Sequence, residues 1–538
     1  MSLSWTQHLI LVPVLLPLLC GALLIVLNES RHQLKFCINL ASVLTLLAVA
    51  LALVRLTDSG HWPEGIGVYL AANWSAPFGI ALVADRLATL MLVLTALLAA
   101  CSLLYSMLRW SRIGVHFHSL FQFLLMGLNG AFLTHDLFNL FVFFEVMLAA
   151  SYGLVLHGYN LNRIRAGMQF IAVNLIASLM FLIGIALIYG TAGTLNMADL
   201  AAQIAGLEAP DLALLKVGAG ALAIAFLVKS AMWPLGFWLP TTYAAASPPV
   251  AAMFVLITKV GAYAILRLWL LVFSDEAGDA AGFGLNALFW GGMATIVFGA
   301  AGMLASDVHG KLAGYGAIIS SGTLLAVIGY GHAALIAPGL FYLLSSTLAM
   351  AAFMLLIELV DRSRNPVQAL LAVTMEAFQV EETPDELVGV SIPAGFAFLG
   401  VSFALCALII AGLPPLSGFI AKFTLFHALL NPGGDAAVST SGLILMVVVI
   451  LSGLAAIIAL MQFGVRTFWA SGAVTVRLQV TEVIPIAVLL VLCMGITVQA
   501  GPVFGFVERT SADLHQPGRY IERVLNEPVV PGVLDKGN

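Results

Sequence analysis

Charged residues are scarce in this sequence. Asp, Glu, Lys and Arg make up only 9% of its 538 residues, whereas soluble globular domains carry about 25%. The net charge of −5 is not concentrated in an arm, which excludes an electrostatic nucleic-acid interface and a polybasic lipid-binding switch. In contrast, 61% of the residues are hydrophobic, and apolar segments recur along the chain. The composition therefore predicts a polytopic membrane protein embedded in a lipid bilayer.

Cysteine is rare as well. The five cysteines form no Cys-x-x-Cys pair and have no histidine at the spacing of metal ligands, so neither a zinc site nor a disulfide framework is indicated. We expect packing thiols, and we predict neither a metal site nor a cofactor. The cysteines are Cys20, Cys37, Cys101, Cys406 and Cys493.

Fourteen hydrophobic runs are long enough to cross a bilayer, because a helical crossing needs about 20 apolar residues. They cover roughly residues 5–27, 33–56, 81–108, 115–133, 136–157, 166–190, 213–245, 250–273, 285–305, 311–330, 336–360, 394–430, 442–467 and 483–505. The seventh and twelfth runs are too long and too interrupted by proline to be simple helices. We predict an all-α fold with one transmembrane domain over residues 1–505 and a polar tail over 506–538.

The loops between these runs differ in their basic residues. Eleven Lys and Arg lie in odd-numbered loops, against four in even-numbered loops and adjoining helix ends. Cytoplasmic loops collect positive charge, so the alternation supports fourteen spans with both termini outside; the basic tail is the exception. The acidic insertion at 361–393 is then cytoplasmic, and it is either a solvated loop or a docking surface for a partner.

Four ionisable residues lie inside predicted spans: Glu145, Lys229, Lys259 and Lys422. Each costs about 2.5–3.5 kcal/mol on insertion scales, so each needs a partner, a watery cavity or a function. If Glu145 approaches Lys229, movement of the carboxylate or of a proton changes the charge of the lysine. A chain of such lysines could pass protons. Alternatively, Glu145 is a protonated acid bonded to a neighbouring helix, and Lys259 is a counter-ion for a buried acid.

Two of the lysines accompany interruptions of their spans. Transporters bind substrates and coupling ions where helices unwind near the bilayer midplane, because the unwound backbone leaves polar groups free. The predicted breaks are Pro234 and Pro240 in the seventh span and Pro414, Pro415 and Gly418 in the twelfth. Lys229 precedes its break, whereas Lys422 follows its own. The sequence therefore suggests an internal repeat without establishing it.

Weaker features either line a hydrated path or simply pack. Histidine side chains are common proton carriers, so His332 and His427 could join such a path. Hydroxyl groups inside the tenth and eleventh spans are equally suited to bonds between helices. These hydroxyl residues are Ser320, Ser321, Thr323, Ser345, Ser346 and Thr347.

Three segments resemble a known family. The strings FLVKSAMWPLGFWLPTTYAAASPPVAAMFVLITKVGAY, EVMLAASYGL and AGLPPLSGFIAKFTLF are similar to the antiporter-like subunits shared by respiratory NADH:quinone oxidoreductase and Mrp-type multisubunit cation/proton antiporters. Within the family, the chain looks most like the D subunit of an Mrp antiporter, also called Mnh or Pha. The lysine at 422 and the insertion after Asp361 carry this closer resemblance.

The resemblance implies two inverted five-helix repeats, at about 115–273 and 285–467, with helices 7 and 12 broken. It also implies that Glu145 tunes Lys229, that Lys259 connects two half-channels, and that Lys422 continues the path. Relatives often carry His or Lys in helix 11, but here that helix has no ionisable residue at its middle. The link from Lys259 to Lys422 then runs either through water held by Ser345, Ser346 and Thr347 or through His332.

Sequence and resemblance together predict a proton-translocating subunit of a Na+ or K+/H+ antiporter, without covalent chemistry. Its partners would be other antiporter subunits, protons, Na+ or K+, and the bilayer. Its location would be the bacterial inner membrane, with both termini periplasmic. One alternative is a proton-pumping subunit of a quinone oxidoreductase or membrane-bound hydrogenase. Another is a membrane enzyme acting on lipid or glycan, for which only the unsupported pair His116 and His118 could be cited.

Overall fold

Helices make up nearly all of the described chain. The structure, a computed structural model, describes residues 5–158, 160–363, 394–431, 438–468 and 478–529. The helices are α1 (Trp5–His8), α2 (Val12–Val26), α3 (His32–Asp58), α4 (Arg86–Ser106), α5 (Phe117–Leu133), α6 (Leu137–Leu156), α7 (Leu161–Ala192), α8 (Met197–Gln203), α9 (Ala209–Lys229), α10 (Leu239–Ala245), α11 (Pro248–Val272), α12 (Leu285–Leu304), α13 (His309–Tyr330), α14 (Ala333–Ser363), α15 (Ala394–Ala411), α16 (Ser417–Leu430), α17 (Thr440–Phe468), α18 (Val480–Val498), α19 (Ala500–Leu514) and α20 (Pro517–Leu525). The strands are β1 (Gly67–Leu70) and β2 (Ala81–Ala84).

Twelve helices in these ranges are long and apolar enough to cross a membrane, and α2, α5 and α16 are shorter apolar helices. The predicted all-helical membrane fold is confirmed. Each predicted span overlaps at least one helix, and the seventh and twelfth each overlap a pair of helices separated by a break. The first and last spans also overlap two helices each, α1 with α2 and α18 with α19. The number fourteen and the inversion of the two five-helix repeats stay predictions.

Three helices form the centre of the bundle. α11 is buried along almost its whole length, and α13 and α14 along most of theirs. α14 packs against α11, α13 and α16, while α12 packs against α13. The sequence does not distinguish these helices from the outer ones, because an apolar helix is suited equally to a protein interior and to lipid.

The third span begins differently from the prediction. Residues 81–84 form β2 rather than the first turn of a helix, and β2 pairs with β1 in an antiparallel hairpin that aligns Leu70 with Ala81. α4 starts only after Asp85, whose carboxylate accepts a hydrogen bond from the backbone of Ala88 at 2.8 Å. The apolar run Ala-Leu-Val-Ala fits a buried strand as well as a helix, so periodicity alone could not decide between them.

The hairpin joins neighbouring loops on one face of the bundle. Backbone bridges pair Leu82 with Thr134, and Asp136 with Asn196. His135 takes part as well, because its backbone N–H donates to Ala81 at 3.4 Å and its carbonyl accepts from Met197 at 2.9 Å. The loop after α5 is thereby fixed against β2, and the loop after α7 is fixed against the loop after α5.

The predicted tail packs against the bundle. α19 runs through the predicted domain boundary at 505/506 and contacts α14, while α20 contacts α8. The acidic insertion predicted at 361–393 lies outside the described residues from position 364 onward, as does the tail beyond 529. The division into a transmembrane domain and a tail stays a prediction.

Candidate functional site

The four ionisable residues predicted inside spans lie on four different helices. Lys229 ends α9, Lys259 lies in the middle of α11 and Lys422 lies in α16; their exposed fractions are 1%, 0% and 8%. Glu145, on α6, is half-buried. All three ammonium groups are therefore removed from bulk solvent, which is costly unless polar groups or water surround them.

The first break follows Lys229 directly. Ser230 ends the helical hydrogen bonding, and Ala231 adopts a φ of 55°, a left-handed conformation that is uncommon for alanine. The backbone N–H of Trp233 then donates to the hydroxyl of Thr295 on α12 at 2.8 Å. Pro234 lies within the break as predicted, whereas Pro240 is the second residue of α10 and so starts a helix. Proline is favoured there because the first helical N–H groups have no intrahelical acceptor.

Lys229 has an aromatic neighbour rather than a hydrogen-bond partner. Its Nζ lies 5.1 Å from the ring centre of Phe144, and among the described residues it has no hydrogen bond. Glu145, the next residue on α6, accepts a hydrogen bond from the hydroxyl of Ser178 on α7. α6 therefore presents an aromatic face to the ammonium and a carboxylate to the serine.

The end of α9 packs closely against α11 and α13. A side chain at Gly261, on α11, would collide with the Ser230 hydroxyl and would lie 2.6 Å from the Phe226 carbonyl. Ser321, on α13, donates to the carbonyl of Ser230 at 2.5 Å. These contacts place the break that follows Lys229 beside α11, which carries Lys259, and beside α13.

Lys259 begins a chain of side-chain hydrogen bonds. Its Nζ donates to the Ser320 hydroxyl of α13 at 2.6 Å, and Ser320 donates to Ser346 of α14 at 2.9 Å. Next to Ser346 on α14, Ser345 donates to Ser417 of α16 at 2.8 Å. The serines of three helices thus extend from the lysine of α11 toward the helix that carries Lys422.

A small cavity lies between these serines and Lys422. Its volume of about 20 Å³ exceeds the roughly 10–15 Å³ that a single water requires. Ser320, Ser345, Ser346, Tyr342 and Lys422 line it. A water in this position would have the polar partners that buried water needs.

Lys422 reaches back across the second break. Its Nζ donates to the carbonyl of Ala411, the last residue of α15, at 2.8 Å. A cation at the C-terminal carbonyls of a helix is favourable. Gly412 follows with a φ of 80°, and a Cβ there would meet the Lys422 Cδ at 2.6 Å. Lys229 is thus the last residue of the first half of its broken helix, and the Lys422 ammonium group reaches the last residue of the first half of the other, although the sequence offsets from the break differ.

One residue predicted to lie in the second break lies outside it. Pro414 and Pro415 lie between α15 and α16 as predicted, but Gly418 lies in the first turn of α16. A Cβ at Gly418 would collide with the Ile409 carbonyl. Its lack of a side chain permits the close approach of the two half-helices rather than the break.

The structure does not bring the two histidines to this chain of residues. His332 lies at the junction of α13 and α14, where its Nδ1 accepts from the backbone of Ala334 at 3.3 Å. His427 lies on the exposed side of α16. Thr347 is buried, but its hydroxyl bonds to Leu343 in its own helix at 2.6 Å. Ser345 and Ser346 are therefore the members of the predicted set that contact other helices.

Two of these contacts were not identified from the sequence. Ser178 is one hydroxyl in a long apolar helix, and nothing in its sequence context marks it as the partner of Glu145. Ser320 appeared only within a run of hydroxyl residues, because contact with Lys259 depends on how α11 and α13 pack. Within the described ranges, no group of three His, Cys, Asp or Glu residues could hold a metal ion.

Comparisons with known proteins identify relatives of the chain. Residues 134–455 match the sequence model of the family described as NADH:quinone oxidoreductase/Mrp antiporter, TM. The chain is 54% identical to the D subunit of a probable K(+)/H(+) antiporter of Rhizobium meliloti (strain 1021), covering 98% of this chain and 99% of that protein. It is 32% identical to the D subunit of a Na(+)/H(+) antiporter of Alkalihalophilus pseudofirmus, covering 97% and 100%. Its fold is similar to a chain of the Mrp complex from Dietzia sp. DQ12-45-1b, with a TM-score of 0.80, 25% identity and coverage of 97% and 100%.

Proposed function

The chain belongs to the NADH:quinone oxidoreductase/Mrp antiporter transmembrane family, and from this membership we propose that it is the D subunit of a multisubunit cation/proton antiporter. It is a transporter subunit rather than a catalytic enzyme. Protons move along its buried polar residues while the complex exchanges Na+ or K+ across the membrane. Its partners are the other subunits of the complex.

One observation carries the proton path: the hydrogen-bonded series from Lys259 through Ser320 to Ser346, continued by a cavity that Lys422 lines. Hydroxyl groups both donate and accept, so they can pass a proton without changing charge. The lysines supply the sites where a proton rests. The series thereby favours the serines of α14, rather than His332, as the link between Lys259 and Lys422.

Glu145 and Lys229 supply the control step in this proposal. Among the described residues, the Lys229 ammonium has no hydrogen bond, while Glu145 is held by Ser178. A buried ammonium is stabilised when a carboxylate comes near and destabilised when it leaves. Release of Glu145 from Ser178 would allow it to turn toward Lys229, so the charge of the lysine would follow the position of the carboxylate.

The relatives guide the choice of cation and location. The 54% identical relative is named for K(+)/H(+) exchange and the 32% identical one for Na(+)/H(+) exchange, so potassium is the first cation to test. We assign the complex to the bacterial inner membrane with both termini of this chain on the periplasmic side, as the distribution of Lys and Arg favours. The repeats at about 115–273 and 285–467 would form two half-channels.

The test uses the whole complex, because a subunit of a hetero-oligomer is not expected to act alone. The complete set of subunits is expressed in cells that lack their own antiporters, and proton flux on adding K+ or Na+ is followed in everted vesicles. We expect Lys229→Ala and Glu145→Gln to abolish antiport while the other subunits still co-purify. Lys216→Ala is the matched control, since Lys216 lies on the same helix but donates to the Asp279 carbonyl at its exposed end.

Full antiport in either path variant would refute the proposed path. Co-purification of flavin or iron-sulfur subunits would instead identify a redox-driven pump, the alternative that the family also contains. In that case the buried lysines would keep their role, and electron transfer would replace the cation gradient as the driving force.

A further inference from the structure

An ion pair is buried near the C-terminal end of α11, apart from the lysines. Arg267 binds Asp85 with two nitrogens, Nη1 at 2.5 Å and Nη2 at 2.7 Å, and the two side chains are 5% and 8% exposed. Removing two charges from water carries a cost that their attraction often fails to exceed. Stability alone is therefore a weak explanation for the pair.

Arg267 of this ion pair and the central lysine lie along one face of α11. Lys259, Tyr263 and Arg267 follow at four-residue intervals on one face of α11, and the two intervals together span about 12 Å. The Tyr263 hydroxyl donates to the Phe132 carbonyl at 2.6 Å and lies 3.5 Å from Nη2 of Arg267. The Tyr263 hydroxyl thus lies beside the ion pair, while its backbone position is midway between Lys259 and Arg267 along the helix.

A cavity of about 30 Å³ adjoins the ion pair, which is enough for at least one water. Glu64, Asp513 and Arg519 belong to its polar lining. Two buried atoms of lining residues, the Tyr520 hydroxyl and the Nε of Arg267, have no hydrogen-bond partner in the described chain. Buried polar atoms without protein partners are commonly satisfied by water. The cavity is therefore suited to hold water beside the pair.

The C-terminal segment covers this cavity. Tyr520 of α20 is 6% exposed, and its ring centre lies 5.6 Å from the Arg267 guanidinium and 4.9 Å from the ring centre of His135. Beyond α20, Glu527 accepts a hydrogen bond from Gln7 at 2.9 Å. The segment is thereby tied to the other end of the chain, and Tyr520 separates the ion pair from the surface.

We propose that the cavity between Asp85, Arg267 and Tyr520 is the outward mouth of the proton path, reached from Lys259 by way of Tyr263. The proposal rests on the proposed function and adds where protons enter or leave on the periplasmic side.

Asp513 supports the assignment from the edge of the cavity. Burial raises the pKa of its carboxyl above the usual range, even though Arg86 donates to it at 2.5 Å. A raised pKa favours the protonated form of a carboxyl, so Asp513 is suited to hold and release a proton at the edge of the cavity. Asp513 lies on α19, outside the candidate membrane spans of the described chain.

The first experiment measures access to the cavity. Gln516→Cys places a thiol in the cavity lining, and Ala512→Cys places one on the exposed side of α19 nearby. Intact spheroplasts carrying the full complex are treated with a membrane-impermeant cationic methanethiosulfonate, and everted vesicles are then assayed for antiport. Labelling is quantified by mass spectrometry, with the unsubstituted complex treated in parallel because it contains native cysteines. We expect both cysteines to be labelled, and labelled Gln516→Cys alone to lose most of its antiport.

The second experiment removes a single hydroxyl. Tyr520→Phe should lose a measurable part of the proton flux, whereas Tyr69→Phe, on the neighbouring strand β1 and outside the cavity lining, should not. Three results would overturn the proposed mouth: full antiport by labelled Gln516→Cys, labelling of that cysteine only from the cytoplasmic face, or normal proton flux in Tyr520→Phe. Absence of cation-dependent proton flux in the unsubstituted complex would instead overturn the proposed function.

Discussion

Ser320→Val tests the link between the two central lysines. The Ser320 hydroxyl accepts from Lys259 at 2.6 Å and donates to Ser346 at 2.9 Å, so its removal interrupts both bonds. A hydrogen bond to a charged group contributes about 1.5–3 kcal/mol. If that amount is lost on the way to the transition state, proton transfer slows by roughly 10- to 100-fold, since about 1.4 kcal/mol corresponds to tenfold.

Valine is preferable to alanine because the adjoining cavity of about 20 Å³ could supply a water to the space that alanine leaves. Ser320→Thr is the matched control: threonine has nearly the shape of valine, adds the same branch at Cβ and keeps the hydroxyl. The assay is the initial rate of proton flux in everted vesicles, normalised to the amount of assembled complex. Equal rates for Ser320→Val and Ser320→Thr would refute the serine link.

Two further predictions concern stability. Gly412→Ala should destabilise the complex by about 1–3 kcal/mol, the usual cost of a non-glycine residue in a sparsely populated backbone region. It should also weaken antiport, because the new Cβ would lie 2.6 Å from Lys422 Cδ. Thermal unfolding followed by size-exclusion chromatography measures the loss of stability, and the control Gly190→Ala, with no atom within 4 Å of its Cβ, should retain normal stability. Burial of Glu29 raises the pKa of its carboxyl, but the hydrogen bond from Lys35, together with the backbone hydrogen bond and charge of His116, outweighs burial and holds the pKa below 4.5. The folded-state pKa is depressed, so this stabilisation is present at neutral pH and is lost as pH falls through the lowered pKa. Glu29→Gln should therefore reduce the free energy of unfolding at pH 7 by less than about 1 kcal/mol, which is measured as a lower melting temperature. A difference from wild type that persists unchanged in acid would contradict the assignment.

The sequence predicts the buried charges well because the signal is strong. A lysine or glutamate within an apolar run of about 20 residues is costly, and each of Lys229, Lys259 and Lys422 is indeed buried. Proline likewise marks the two broken helices. These features depend on one residue and its immediate neighbours, so a single sequence is sufficient to find them.

Features that depend on packing were missed. The offset of Lys422 from its break argued against equivalence with Lys229, but the side chain reaches back to Ala411. The ion pair of Asp85 with Arg267 joins residues far apart in the chain. Hydrophobic periodicity gives no information about such contacts, since most of the long helices described here are apolar on most of their faces. The hairpin escaped for a related reason, because a four-residue apolar strand looks like the start of a span.

The burial of α11 has a consequence for how the chain is made. Transmembrane segments enter the bilayer in the order of their synthesis, and the Ser320 hydroxyl that binds Lys259 is synthesised only after α12. Until α13 and α14 arrive, α11 must stay beside lipid or the insertion machinery with an unsatisfied lysine at its middle, at an insertion cost of about 2.5–3.5 kcal/mol. The nascent chain is therefore most vulnerable to degradation after α11 has been synthesised and before α13 has packed against it. A quality-control protease that recognises exposed intramembrane charge would act in that interval.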